Sequence, residues 1–228
     1  VSFFLSQLFS VPKELSTLNY SFQVIPQNFE LSIDNVKPYV KTEPARQKIE
    51  GTLTTVDFAE NDAIEKMLTA KQESMALKIS WTHASGGKQH SFVVEDVMRK
   101  ETVSKVILKA DGGGLNISHE DSQEIEIPAL SDFKVTRISV EQGSNQRVKI
   151  QFSDPLDEKQ NLNGLVAIEG VGTVDIEVKD NEINVFPPVR QNGSRKLIIE
   201  AGVRNLLGYQ MKQAVSLDVV FEQLLPAV

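Results

Sequence analysis

The sequence predicts an all-β chain built from two tandem β-sandwich domains, with one short helix in the first. Three observations carry that expectation. Apolar residues recur with a period of two along nearly all of the 228 residues, the pattern of strands with one buried face. Clusters of Gly, Asn, Asp, Ser and Pro break those runs at short intervals, as turns do. Helical spacing appears over a single brief stretch. The length agrees, since it suits two units of about 100–130 residues, each large enough to bury a core.

The first 18 residues form an N-terminal segment. Within it Phe3, Phe4, Leu5, Leu8 and Phe9 make a short apolar patch, interrupted by Ser6 and Gln7, that is expected to dock on the first domain. That domain spans residues 19–130. Tyr20, Phe22 and Val24 share one face, as do Phe29, Leu31 and Ile33, and Pro26-Gln27-Asn28 turns between them, so a hairpin is expected. Strands follow at Ile49–Phe58, Leu77–Thr82, His90–Val97, Val103–Ala110 and Gln123–Ile127. Ser85-Gly86-Gly87 and Asp111-Gly112-Gly113-Gly114 are the clearest turns. Asp62 is placed to cap a short helix with Glu65 three residues on, and Ile64, Met67 and Leu68 share its apolar face. This helix is expected to cross between two sheets.

The second domain spans residues 131–228. Its strands are expected at Phe133–Val140, Arg147–Phe152, Leu165–Glu169, Val174–Val178, Glu182–Phe186, Leu197–Glu200 and Ala214–Phe221. Seven short strands in this rhythm suit an immunoglobulin-like sandwich. Val148, Ile150 and Phe152 face one way, and Pro155 then stops the strand because it has no backbone N–H to give. Gly202 and Gly208 can take positive φ at turns, and Asn205 tolerates that region. The junction Ile127-Pro128-Ala129-Leu130-Ser131-Asp132 has one proline and little flexible composition, so the two domains are expected to touch.

Composition excludes several function classes. Acidic residues outnumber basic ones by 31 to 24, for a formal charge of −7, and no basic run could neutralise a phosphate backbone. Nucleic acid is not an expected partner. The absence of cysteine removes disulfides, thiolate metal sites, cysteine nucleophiles and thioesters from this chain. No apolar run is long enough to span a bilayer as a helix. The chain starts at Val1 with no basic segment of the kind that opens a signal peptide, and reads as a processed product or a fragment.

Candidate sites are few. His83 and His90 flank the Ser85-Gly86-Gly87 turn and could face one another across a hairpin, but a metal site needs further ligands, and no Asp or Glu lies in that turn. His119 sits in a distant polar loop. Asp111-Gly112-Gly113-Gly114 follows a strand rather than feeding a helix, so a turn is expected there and not a phosphate cradle. Asp154, Asp157 and Glu158 carry carboxylates suited to calcium, yet their spacing matches no EF-hand and a solvated loop is expected. Trp81 alternates between Ser80 and Thr82 and is expected in the sandwich core rather than as a carbohydrate platform. No nucleophile elbow, zinc-protease motif or catalytic carboxylate pair occurs. The reading is therefore a chain without catalytic, cofactor-binding or metal-binding residues.

One resemblance runs through both halves. Val148-Lys149-Ile150-Gln151-Phe152-Ser153-Asp154-Pro155-Leu156-Asp157, then Leu165-Val166-Ala167-Ile168-Glu169-Gly170, then Ile198-Ile199-Glu200-Ala201-Gly202-Val203-Arg204-Asn205-Leu206-Leu207-Gly208 resemble the bacterial Ig-like domains near the N-terminus of bacterial alpha-2-macroglobulins. Ile49-Glu50-Gly51-Thr52-Leu53-Thr54-Thr55, the helix at Ile64 to Leu68, Leu77-Lys78-Ile79-Ser80-Trp81, His90-Ser91-Phe92 and Ile127-Pro128-Ala129-Leu130 are similar to the macroglobulin-like segment that precedes that domain. The match covers roughly residues 20 to 225. It implies a non-catalytic scaffold fragment of a protease-trapping protein of the cell envelope, periplasmic or lipid-anchored outside this fragment. Its implied partners are other domains of the same protein and, through the whole protein, target proteases. The alternative is a tandem Ig-like adhesion or glycan-binding module of a surface protein, working through loop tips or exposed aromatics.

Overall fold

The computed structural model describes residues 2–4, 17–19 and 26–223. Strands β1 (Ser2–Phe4) and β2 (Thr17–Asn19) pair antiparallel, which places Phe3 and Phe4 in a strand. Leu5, Leu8 and Phe9 and the strand expected at Tyr20–Val24 lie outside the described residues.

The first sandwich comprises β3 (Phe29–Pro38), β4 (Arg46–Thr55), helix α1 (Asn61–Met67), β5 (Leu68–Gln72), β6 (Met75–Leu77), β7 (Ile79–His83), β8 (Gln89–Met98), β9 (Ser104–Asp111) and β10 (Glu120–Ile127). One sheet runs β3-β4-β8-β7 and the other β10-β9-β5-β6, all antiparallel. Alternation does the work expected of it: Ile49, Leu53, Phe92 and Val94 point inward from one sheet and Leu68, Val106, Leu108 and Ala110 from the other. Helix α1 carries the chain from β4 in the first sheet to β5 in the second, and seats Ile64 and Met67 in the core.

Three details depart from the expectation. The helix begins one turn-step earlier than Asp62. Glu60 is the N-cap, makes no side-chain cap bond, and accepts the N–H groups of Ala63 and Ile64 on its carbonyl; Asp62 lies in the first turn, where its charge favours the helix dipole. The run Leu77–Thr82 is not one strand. It divides at Lys78, with β6 in one sheet and β7 in the other, because strands in both sheets show the same period-two pattern. Leu68, expected on the helix, opens β5 instead.

The second sandwich comprises β11 (Val135–Glu141), β12 (Arg147–Phe152), β13 (Val166–Ile168), β14 (Asp175–Lys179), β15 (Glu182–Phe186), β16 (Gly193–Ile199) and β17 (Val215–Phe221). Its sheets run β11-β12-β15-β14 and β13-β16-β17. In order of appearance these are strands A-B-E-D against C-F-G, the constant-type immunoglobulin arrangement. The first sandwich repeats it, with β3-β4-β8-β7 as A-B-E-D and β10-β9-β5 as G-F-C, extended by β6. Val148, Ile150, Phe152, Ile183, Val185, Leu197 and Ile199 are wholly buried in the second core, and Phe133 stacks on Phe152 with ring centroids 5.6 Å apart. Gly202 and Gly208 do take positive φ; Asn205 does not, and is buried with its side-chain oxygen accepting the Tyr209 N–H.

Gly51 shows how tightly the first core is set. It lies between Ile33 on β3 and Phe92 on β8, and a Cβ there would stand 2.3 Å from Phe92 Cζ and 2.5 Å from the Ser32 carbonyl oxygen. A backbone atom cannot rotate aside. Gly51→Ala is expected to lower stability by about 1–3 kcal/mol, read from urea midpoints, whereas Gly86→Ala, with no heavy atom within 4 Å of its Cβ position, should leave the midpoint in place.

Candidate functional site

The most heavily built polar site lies where the two sandwiches join. Arg99 follows β8, and its backbone N–H donates to the Ala45 carbonyl at 2.8 Å, which fixes where the side chain starts. The guanidinium is 0% exposed. Nε donates to the carbonyls of Pro128 at 3.1 Å and Ala129 at 3.2 Å, and Nη2 to those of Ala129 at 2.8 Å and Asp132 at 2.7 Å. Nη1 reaches Asp154 Oδ1 at 2.7 Å and the Ser153 carbonyl at 3.3 Å. The second Asp154 oxygen accepts from Ser153 Oγ at 2.6 Å. One side chain of the first domain thus holds the linker and the loop after β12 of the second domain together, with its whole donor fork engaged.

A second contact lies beside it. The amides of Asn35 and Asn181 are both buried and exchange hydrogen bonds at 3.1 Å in each direction, and Asn181 Nδ2 also donates to the Phe152 and Val36 carbonyls at 2.8 and 2.9 Å. Gln47 Nε2 donates to the Ser153 carbonyl at 3.2 Å. At the rim, Lys41 spans to Asp180 at 2.6 Å and Glu158 at 3.1 Å. Its hydrogen bond to Asp180 holds that carboxyl below the usual carboxylate range and raises the lysine above its own. The outer edge of β3 is covered in the same way: the Leu31, Ile33, Asp34 and Val36 carbonyls accept from Gln123, Arg137, Gln151 and Asn181.

This arrangement corrects the reading of Asp154 as part of a solvated loop, while Glu158 is exposed as expected and Asp157 lies between the two. Asp154 is buried against Arg99, Asp157 faces Arg204 at 3.3 Å, and Glu158 faces Lys41. Each carboxylate is matched to a different cation, so the three do not converge on one point. No group of three or more His, Asp or Glu among the described residues is arranged to hold a metal ion.

The histidine pair does meet across its hairpin. His83 and His90 are register partners in β7 and β8, with their Nδ1 atoms 2.8 Å apart. Glu65, on α1, reaches His83 Nε2 at 3.1 Å, a partner that the turn sequence does not reveal. A carboxylate needs a proton on that Nε2; with His83 neutral, its Nδ1 is then the acceptor of the His90 Nδ1–H bond and His90 Nε2 is left bare. That atom is buried without a partner. Glu65 and His90 thus sit on opposite nitrogens of one ring, a chain of contacts and not a ligand cluster. Burial, and secondly the neighbouring His83, push the His90 pKa below its ordinary 6.5, against the opposing hydrogen bond that the ring donates to the Gly87 backbone.

The remaining candidates have structural positions. His119 is exposed beside Phe29, ring centroids 5.0 Å apart. Asp111-Gly112-Gly113-Gly114 forms a turn of 3-10 helix in which Asp111 Oδ1 accepts the Gly113 N–H at 2.8 Å, leaving the carboxylate where a phosphate would have to sit. Trp81 is half-buried, tilted against Phe92 at 5.5 Å and stacked on His83 at 5.9 Å. Sequence reasoning missed a crevice of about 520 Å³ at the junction, lined by Leu130, Phe133, Asp154, Leu207 and Tyr209. Tyr209, 67% exposed, and Leu207, 47% exposed, belong to the loop between β16 and β17.

No protein-family model matches the chain, and no curated protein matches it. Among solved structures, the ectodomain of mouse nectin-like molecule 4, domains Ig1–Ig3, shares 14% identity over 89% of this chain and 67% of its own, with a TM-score of 0.31. Titin A168169 shares 13% identity over 86% of this chain and 97% of its own, with a TM-score of 0.27. The immunoglobulin-like assignment rests on the strand order of each sandwich.

The junction and the histidine pair each give an expected outcome. Asp154→Ala leaves a buried guanidinium without its carboxylate and should cost about 3–5 kcal/mol in urea unfolding, and the double replacement Arg99→Met with Asp154→Leu should not recover that loss, because the Pro128, Ala129, Asp132 and Ser153 carbonyls then lose their donor. Below pH 6.5, His90 takes up a proton more readily in the unfolded chain than in the folded one, so folding stability should fall as the pH drops through that value. Unfolding free energies between pH 5 and 8 should show this slope in the parent and a shallower one in His90→Phe.

Proposed function

We propose that this chain is a non-catalytic scaffold segment of a larger protein of the alpha-2-macroglobulin type, in which two immunoglobulin-like sandwiches act as one spacer. The observation that carries the proposal is the junction: Arg99, wholly buried, bonds the linker at Pro128, Ala129 and Asp132 and the second domain at Asp154. A flexible tether would leave those carbonyls to water. Fixing them gives a spacer whose two ends keep a set separation, which is what a scaffold supplies to the parts joined to it. The residue resemblance described above supports the protease-trapping context.

The test is protease capture by the whole protein, comparing the parent with Asp154→Ala and with the rim change Lys41→Ala. Loss of capture confined to Asp154→Ala, with the variant still folded by circular dichroism, is the expected result. Full capture by a folded Asp154→Ala protein would sink the scaffold role.

A second reading, adhesion or glycan binding, is favoured by one observation, the exposed Tyr209 and Leu207 at a loop tip over the junction crevice. It predicts glycan-array signal that Tyr209→Ala abolishes. A blank array for the parent chain would remove it.

A further inference from the structure

Every sheet of a sandwich ends in two strands whose outer backbone groups are open to another strand, and folded proteins guard such edges with charge, proline, bulges, short length or a cover. Among the described residues, seven of the eight sandwich edges carry one of these devices. Strand β3 ends in Pro38, has a bulge after Ile33, and has its outer carbonyls capped by side chains. Strand β10 presents Glu120, Glu124 and Glu126, and β14 presents Asp175, Glu177 and Lys179. Strand β11 has a bulge and Arg137, and β17 has Asp218 at its middle. Strands β6 and β13 are three residues long.

Strand β7 is the exception. It reads Ile79-Ser80-Trp81-Thr82-His83, without a formally charged carboxylate or ammonium, proline or bulge, and among the described residues no strand pairs with its outer side. Ile79 and Trp81 pack toward the core and His83 toward His90, which leaves Ser80 and Thr82 on the outer face; Ser80 Oγ donates to Glu95 of β8, whose carboxylate is paired with Lys78 just before the strand.

We propose that the β7 edge is a docking surface for a second copy of this chain, paired antiparallel about a two-fold axis through Trp81. The strand is complementary to itself in that register. Ser80 stands opposite Thr82 of the other copy, Ile79 opposite His83, and Lys78 opposite Ala84, so no like charges meet across the axis. The pairing joins two four-stranded sheets into one of eight, and the inward and outward faces of the two strands coincide.

The absence of cysteine from the chain gives a direct test. Ser80→Cys and Thr82→Cys proteins are prepared separately, then oxidised alone and as an equimolar mixture. Opposed residues of an antiparallel pair fall within the Cα separation of about 4.4–6.8 Å that a disulfide needs, whereas each single variant places its thiols two residues out of register. The expected result is a cross-linked species of twice the 25.3 kDa chain mass in the mixture, faint in either protein alone, and lost when Trp81→Pro or an added lysine at position 80 or 82 blocks the edge. Equal cross-linking in the single variants, or none in the mixture with sedimentation showing monomer throughout, overturns the proposal, the latter result leaving the edge to a different strand.

Discussion

The pairing of Arg99 with Asp154 is the constraint on which the arrangement of the chain depends. A buried guanidinium is costly unless every donor finds an acceptor, and here the acceptors come from the linker backbone and from the loop after β12. The same condition fixes the path of the linker. Pro128, Ala129 and Asp132 must point their carbonyls at one side chain, which leaves the junction little freedom to swing. The Asn35–Asn181 exchange and the cover over the β3 edge then follow, because they need the two domains held at that one setting.

Local pattern made most of the fold legible. Period-two alternation located nearly every strand, and the strand order then supplied the two immunoglobulin-like sandwiches. The failures share a cause. Leu77–Thr82 alternates without interruption across Lys78, since a strand reads alike whichever sheet receives it. Leu68 follows Ile64 and Met67 at helical spacing, and a short apolar segment gives no means to choose between helix and strand.

The site was less legible than the fold. The His83–His90 contact could be anticipated because a hairpin sets its own register, while Glu65 arrives from a helix that no local rule connects to that turn. Asp154 stands in a Ser-Asp-Pro sequence that reads locally as the end of a strand. Its burial is dictated by Arg99, 55 positions earlier, and nothing near either residue announces the other. The separation of Asp154, Asp157 and Glu158 onto three different cations has the same origin.

That distance along the chain also bears on how the protein is made. Synthesis delivers Arg99 and the linker carbonyls first, and the carboxylate only after β12 has been added. For the interval between, a completed first sandwich carries a cation with part of its shell in place and its counter-charge still to come. The junction therefore closes only after the first sandwich is complete, and the order in which the ribosome supplies the residues makes the second domain the lock on the first.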